Sequence, residues 1–202
     1  MYGVKDAALY QIGLEMLRAE VPGHPRYFTG DSDLIHNLVY ARRYCPEILA
    51  GGLRVLDIGT GPGAFLVLAR LLGNRVIGID QVPKGRLVLA FQMLTKACRL
   101  KVEYCGMPGN GEHFETPGKF NLINCQSAIN CIYRDSPDLH QDLASFLATC
   151  LQSLAPGGTI LVFPNAEPKG PEILDTLQAI APAAGMVATP VLGKALRLTR
   201  CT

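Results

Sequence analysis

Residues 54–80, RVLDIGTGPGAFLVLARLLGNRVIGID, constrain this chain more than any other stretch. Residues 54–58 are a short β-branched and aliphatic run, which predicts a buried strand. Gly59, Gly61 and Gly63 interrupt it, residues 64–72 keep an apolar helical pattern, and residues 75–80 form a second apolar run closed by Asp80. The order is therefore strand, glycine loop, helix, strand. A turn that tight, crowded against a ligand, favours residues without Cβ. The helix behind it offers free N–H groups and a positive dipole end to an anionic group. A carboxylate at the end of the next strand, about 20 residues after the loop, is placed to accept hydrogen bonds from a ribose diol. The unit is expected to bind a nucleoside cofactor.

The spacing of the glycines narrows the cofactor. A dinucleotide site uses G-x-G-x-x-G, the last glycine letting helix and strand approach under a pyrophosphate. Here the glycines run G-x-G-x-G and Asp57 stands just ahead of them. A carboxylate at the end of a buried strand repels a pyrophosphate but accepts from an ammonium group, directly or through water. That favours a ligand with an aminoacyl tail and puts an NAD-linked oxidoreductase last. The segment VLDIGTGPG at residues 55–63 resembles, at every position, motif I of the class I S-adenosylmethionine-dependent methyltransferases.

Composition limits the alternatives. A chain of 202 residues suits one domain with a sizeable core, and 49% hydrophobic with 18% charged residues describes a globular α/β protein. The net charge is +2 and the nineteen Lys and Arg residues are dispersed, which weakens the case for a nucleic-acid substrate. Seven cysteines at irregular spacings, without a C-x-x-C pair, outline neither a disulfide framework nor a zinc site. Reduced thiols in the cytoplasm are the simpler expectation. The first twenty residues carry Lys5, Asp6 and Glu15, so neither a signal peptide nor a membrane span is expected there.

Along the chain, residues 1–50 are expected to form a helical extension or lid and residues 51–202 the core. Helical spacing predicts helices over 6–20 and 33–44, the second capped by Asp31 or Ser32. After Asp80, helices are expected over 84–98, from Ser136-Pro137-Asp138 to 154, and over 171–184. Strands are expected over 101–105, 120–125, 159–163, 186–191 and 195–200, and a glycine-rich loop over 106–118. With the two strands of the glycine unit these make seven. The expected fold is α/β, a doubly wound, mostly parallel sheet ending in a hairpin.

That series of elements extends the resemblance over about three quarters of the chain. Class I methyltransferases share it, with an antiparallel last strand, and many carry L-x-P-G-G before the fifth strand, matched by Leu154-Ala155-Pro156-Gly157-Gly158. The segment FNLINCQSAINCI looks like the small-molecule branch, but Asn121 replaces an Asp and Asn130 stands near a usual His. The resemblance implies that Asp57, Gly59, Thr60, Gly61 and Gly63 hold the aminoacyl and ribose portion of S-adenosylmethionine or its product S-adenosylhomocysteine. Asp80 takes the ribose hydroxyls, Gln81 flanks adenine, Met107 stands where the family often has an Asp, and Cys125 and Gln126 contact the methionine moiety. Neither the N-P-P-Y of amino-group methylators nor the carboxylate set of magnesium-dependent catechol methylators is present, so no metal is expected.

The implied reaction is direct displacement of an activated methyl group by O, N or C of a metabolite, with natural-product tailoring as one setting. A hydroxyl or carbon acid benefits from a base such as His36, His113, Asp31 or a tyrosine such as Tyr27. Each has a plainer reading: His36 as a surface or satisfied histidine, His113 as a solvated loop residue, Tyr27, Phe28, Tyr40 and Tyr44 as core or lid packing, and Cys125 and Cys131 as small core hydrophobes. The expected partner is a small-molecule acceptor, without nucleic acid or membrane, with a homodimer as the assembly considered. The rivals are an RNA or protein methyltransferase and a non-catalytic binding protein of the same fold.

Overall fold

The computed structural model describes residues 15, 30–61, 63–81, 92, 95–105, 118–164 and 169–201. The apolar runs become β1 (Arg54–Ile58), β2 (Arg75–Asp80), β3 (Val102–Tyr104), β4 (Phe120–Gln126), β5 (Leu154–Phe163), β6 (Met186–Val191) and β7 (Ala195–Arg200). They form one seven-stranded sheet in the order β3-β2-β1-β4-β5-β7-β6. The pairs among β1 to β5 are parallel, and β7 runs antiparallel to both β5 and β6. This is the doubly wound sheet with an antiparallel last strand that the sequence predicts. Its strand order reverses between β1 and β4, which opens a crevice beyond their carboxyl ends.

Helices α1 (Gly30–Tyr44), α2 (Ala64–Leu71), α3 (Ile129–Ile132), α4 (Leu139–Ser153) and α5 (Gly170–Ile180) accompany the sheet. Helix α4 starts at Leu139, after the expected opening at Ser136-Pro137-Asp138, and Asp138 caps it, its Oδ1 accepting from the Gln141 N–H at 3.0 Å. Most boundaries agree within one residue or two, and there are three further differences. Helix α1 starts at Gly30, so Asp31 and Ser32 lie inside its first turn and not ahead of it. Helix α5 stops at Ile180 and Pro182–Ala184 is a separate 3₁₀ turn, because Pro182 lacks the N–H a continuing helix needs. The Leu154–Gly158 motif is not a turn ahead of β5 but its first half: Leu154 pairs with Phe120, and the register shift between Phe120 and Leu122 absorbs the irregular stretch. The expected helix at 6–20 falls outside the described residues except for Glu15, as do most of the 84–98 helix and nearly all of the 106–118 loop.

Two apolar layers hold the sheet. On one face Leu56, Ile58, Ile123, Cys125, Ile160 and Val162 pack against Ile129, α4 and α5. On the other, Val55, Leu122 and Leu161 pack under Phe65, Leu68 and Ala69 of α2 and Tyr40, Ala41 and Tyr44 of α1. Buried strands covered on both sides carry continuous apolar runs, as β1 and β5 do. One face of the described part of the N-terminal extension thus packs into the core, with Tyr40, Ala41, Cys45 and Ile48 buried, while Ile35, Leu38 and Val39 are exposed.

Asn74 fastens this second layer. Its Oδ1 accepts from the Leu53 N–H at 3.1 Å, and its Nδ2 donates to the carbonyls of Ile48 and Ala69, both at 2.9 Å. One buried side chain therefore ties the 3₁₀ turn Pro46–Ala50, the approach to β1 and the end of α2. Asn74→Ala leaves those backbone groups without partners and is expected to cost about 1–3 kcal/mol in denaturant-induced unfolding. An unchanged unfolding midpoint would contradict that role.

Candidate functional site

The glycine loop is stitched to β2 from below. The Gly59 N–H donates to the Ile79 carbonyl at 2.8 Å, and Thr60 Oγ1 donates to the Asp57 carbonyl at 2.9 Å. Gly59 has φ +74°, and a Cβ there would lie 2.0 Å from the Ala128 Cβ. Its missing side chain thus serves the meeting of the β1 and β4 loops. Gly61, at φ +53°, has nothing among the described residues within 4 Å of a would-be Cβ. It is Gly61 that faces open space, where a ligand can approach the backbone.

Asp80 closes over this loop. Its Oδ2 accepts from the Gly61 N–H at 2.6 Å and its Oδ1 from the Gln81 N–H at 2.8 Å. Each oxygen keeps a further acceptor site for hydroxyl donors. Burial pushes its carboxyl up, and the hydrogen bonds from Gly61 and Gln81 oppose that shift. Tyr104 stands beside Asp80 in the β2–β3 register; burial and then the Asp80 charge push its hydroxyl up, and a hydrogen bond with Thr95 opposes that shift.

Asp57 lies one layer deeper, buried at the end of β1. Its Oδ1 accepts from Asn124 Nδ2 at 2.7 Å, and Asn124 Oδ1 accepts from the Tyr40 hydroxyl at 2.8 Å. Burial pushes the Asp57 carboxyl up to about 7; the Asn124 hydrogen bond pulls it down, the Asp80 charge raises it, and Thr60 lowers it. A carboxyl so placed gains most from a cationic partner, which restores its charge.

The residues expected at the site are distributed unevenly. Asp57, Gly59, Thr60, Gly61, Gly63, Asp80 and Gln81 gather at the ends of β1 and β2. Gln126, half-buried, ends β4 on the other side of the switch point. The Cys125 side chain turns the other way: it is fully buried with Cys150 and Ile129 in the opposite layer, and its thiol is pushed well up by that burial. Successive strand residues alternate faces, so Cys125 and Gln126 cannot both present side chains to one ligand. Cys131, read as a core hydrophobe, is exposed at the end of the short α3, the side that its turn leaves uncovered. All seven cysteines are free. His36 is exposed on α1. Tyr27, His113 and Met107 lie outside the described residues. Among the described residues no group of His, Cys, Asp and Glu could hold a metal ion, and no helix is long and apolar enough to cross a membrane.

Of the two departures in residues 120–132, Asn121 of β4 keeps a supporting role, its Oδ1 accepting from the Arg54 N–H at 2.9 Å, and Asn130 of α3 is buried. Sequence reasoning missed Asn124 and gave Tyr40 only a packing role. The signal was an amide in the middle of the apolar strand FNLINCQ, where an uncompensated polar group is costly. Ser127, directly after β4, adopts φ +59° and donates its N–H to the Phe163 carbonyl at 2.7 Å. A non-glycine residue in that region at a crevice mouth marks backbone held by its surroundings.

A family model described as a methyltransferase domain matches residues 56–162, from β1 through β5. The chain belongs to this methyltransferase domain family. Among curated relatives, a ubiquinone biosynthesis O-methyltransferase of Leptothrix cholodnii is 27% identical over 119 residues, 58% of this chain and 47% of that protein. One of the same description from Bordetella bronchiseptica is 28% identical over 109 residues, 54% and 41% of the two chains. The chain thus spans about half the length of the curated relatives it matches, or less. Among solved structures, Streptomyces venezuelae DesVI superposes with a TM-score of 0.64 at 13% identity, over 98% of this chain and 100% of that one. CalS10, an amino pentose methyltransferase from Micromonospora echinaspora solved with SAM bound, gives 0.59 at 17% identity, over 85% and 92%. A putative RNA methyltransferase from Pyrococcus horikoshii gives 0.54 at 18% identity, over 84% of each. These likenesses concern the methyltransferase fold, and the fold does not choose the acceptor.

Proposed function

We propose that the chain is an S-adenosylmethionine-dependent methyltransferase acting on O, N or C of a small-molecule acceptor. The observation that carries this reading is the Asp80 carboxylate bonded to the Gly61 N–H, beside the glycine whose missing side chain leaves open space. The donor set supports this cofactor: Asp80 has acceptor sites for two ribose hydroxyls, and Asp57, buried and without a cation beside it among the described residues, suits the ammonium of the aminoacyl tail. The family membership and the curated relatives' descriptions support the same reading.

When bound, S-adenosylmethionine supplies an already activated sulfonium methyl. The chain's work is then to orient and to exclude water. Asp80 and the loop at Gly59 to Gly61 fix the nucleoside end, and Asp57 fixes the aminoacyl end. Gln126 and the strained Ser127, across the switch point, stand where an acceptor would meet the crevice. An amine acceptor needs to arrive neutral, and a hydroxyl needs a base, for which His113 and Tyr27 remain the proposed candidates ahead of the exposed His36. The cytoplasm is the proposed compartment.

Isothermal titration with S-adenosylhomocysteine and S-adenosylmethionine, with NAD as control, tests the reading. Micromolar binding of the first two, weakened about tenfold or more (about 1.4 kcal/mol) by Asp80→Ala, is the expected result. Binding of NAD alone, or of none of the three, would overturn it.

A further inference from the structure

Asp57 and Asn124 are register partners on neighbouring parallel strands, so their side chains leave the same face of the sheet. Around them that face is apolar, with Val55, Leu122 and Leu161 below and the rings of Tyr44, Phe65 and Phe163 around Tyr40; its Arg197–Glu47 pair lies further along, at Thr159. A leucine at 124 and a phenylalanine at 40 would fill the same space without a polar group to satisfy. Among the described residues the amide and the hydroxyl bond to one another and to Asp57: Tyr40 to Asn124 at 2.8 Å, Asn124 to Asp57 at 2.7 Å.

We infer that Asn124 and Tyr40 are a positioning pair that holds the Asp57 carboxylate in one orientation at the crevice end of β1. The direction of the chain is set from α1. The Tyr40 hydroxyl donates to Asn124 Oδ1, so the amide must present its N–H, not its carbonyl, to Asp57. An amide is a neutral donor. It fixes the carboxylate without cancelling its charge, as an Arg or Lys would, and so leaves that charge to a ligand cation. Among the described residues, the ionisable groups that interact with Asp57 agree with this: Asp80 from β2, Tyr40 and Cys45 from the α1 side and Cys125 from β4, none of them a cation. The pair also links α1, in the N-terminal extension, to the floor of the site.

The ligand arm of the test rests on the proposed cofactor. Titrations compare S-adenosylhomocysteine with 5′-methylthioadenosine, which has the same nucleoside but no aminoacyl tail. Asn124→Leu is expected to weaken S-adenosylhomocysteine about tenfold or more and Tyr40→Phe about threefold, with methylthioadenosine changed less than about twofold. Unchanged affinity for S-adenosylhomocysteine, or equal losses with both ligands, would overturn the inference; equal losses mean a merely structural role. Tyr40→Phe keeps the ring and serves where Asn124→Leu fails to fold.

A second arm needs no ligand. In carbon-13-labelled unliganded protein, the Asp57 carboxyl resonance is followed against pH in wild type and Asn124→Leu. Loss of a hydrogen bond to the charged form should move its midpoint upward. An unmoved midpoint would overturn the inference. If the wild type binds neither ligand, the cofactor reading falls, and this arm alone decides whether the pair holds Asp57.

Discussion

Gly59→Ala is expected to destabilise the fold by about 2–5 kcal/mol, while Gly61→Ala, two residues on, leaves it within about 1–2 kcal/mol of wild type. Both glycines have positive φ, so both substitutions meet the left-handed backbone penalty. They differ in surroundings. A Cβ at Gly59 would sit 2.0 Å from the Ala128 Cβ, an overlap that displacement of the loop between β4 and α3 must relieve, whereas one at Gly61 meets nothing within 4 Å among the described residues. Against a typical stability of about 5–15 kcal/mol, the first change is severe. The second is expected to leave a folded protein that binds S-adenosylhomocysteine poorly, because the methyl group occupies the space kept for the ligand. Urea denaturation and titration of both variants check this. Equal stability of the two would contradict the packing argument, and undiminished binding by Gly61→Ala would contradict the placement of the ligand.

Asp57→Asn is expected to have opposite effects on stability and binding. In the folded chain burial pushes Asp57 up to about 7, from an ordinary value near 4, so the native state holds this proton more tightly than the unfolded chain does. Its contribution to stability is therefore complete below about pH 4 and lost as pH rises through about 7. Asparagine removes that loss, and at pH 8 the variant is expected to be roughly 2–4 kcal/mol more stable, a rise in Tm of about 4 °C or more. The same change removes the charge that meets an ammonium, so S-adenosylhomocysteine binding should fall by about a hundredfold. In the wild type, affinity should decline as pH drops below about 7, because the bound cation must then displace a proton. A variant that is both less stable at pH 8 and unchanged in binding would refute the account of Asp57.

The sheet was legible because its signals are local. The strands at 54–58, 75–80, 186–191 and 195–200 coincide with the apolar runs that predicted them, bounded by Gly, Asn or Pro. The misplaced boundaries arose where a tertiary contact overrode a local cue. Leu154 joins β5 because Phe120 is there to pair with it, although Pro156-Gly157-Gly158 reads as a turn. The glycine loop and its two carboxylates were also legible, since their order along the chain is the order in which strand, loop and strand present them. What the loop's glycines do was less so: Gly59 makes room for Ala128, a contact about seventy residues away in sequence that spacing cannot show. Asn124 and Tyr40 were hidden for the same reason. An asparagine in an apolar strand announces a buried partner, but only the β1–β4 register and the placement of α1 show that the partner is Asp57 and that Tyr40 completes the chain.

The most direct test of the central claim is a crystal structure of the protein with S-adenosylhomocysteine. The ribose hydroxyls should lie within hydrogen-bonding distance of Asp80, the glycine loop should pass under the ligand at Gly61, and the ammonium should meet Asp57 directly or through one water, with Asn124 still bonded to that carboxylate. A ligand seated elsewhere, or one in this crevice whose ammonium points away from Asp57 and whose ribose misses Asp80, would contradict the assignment.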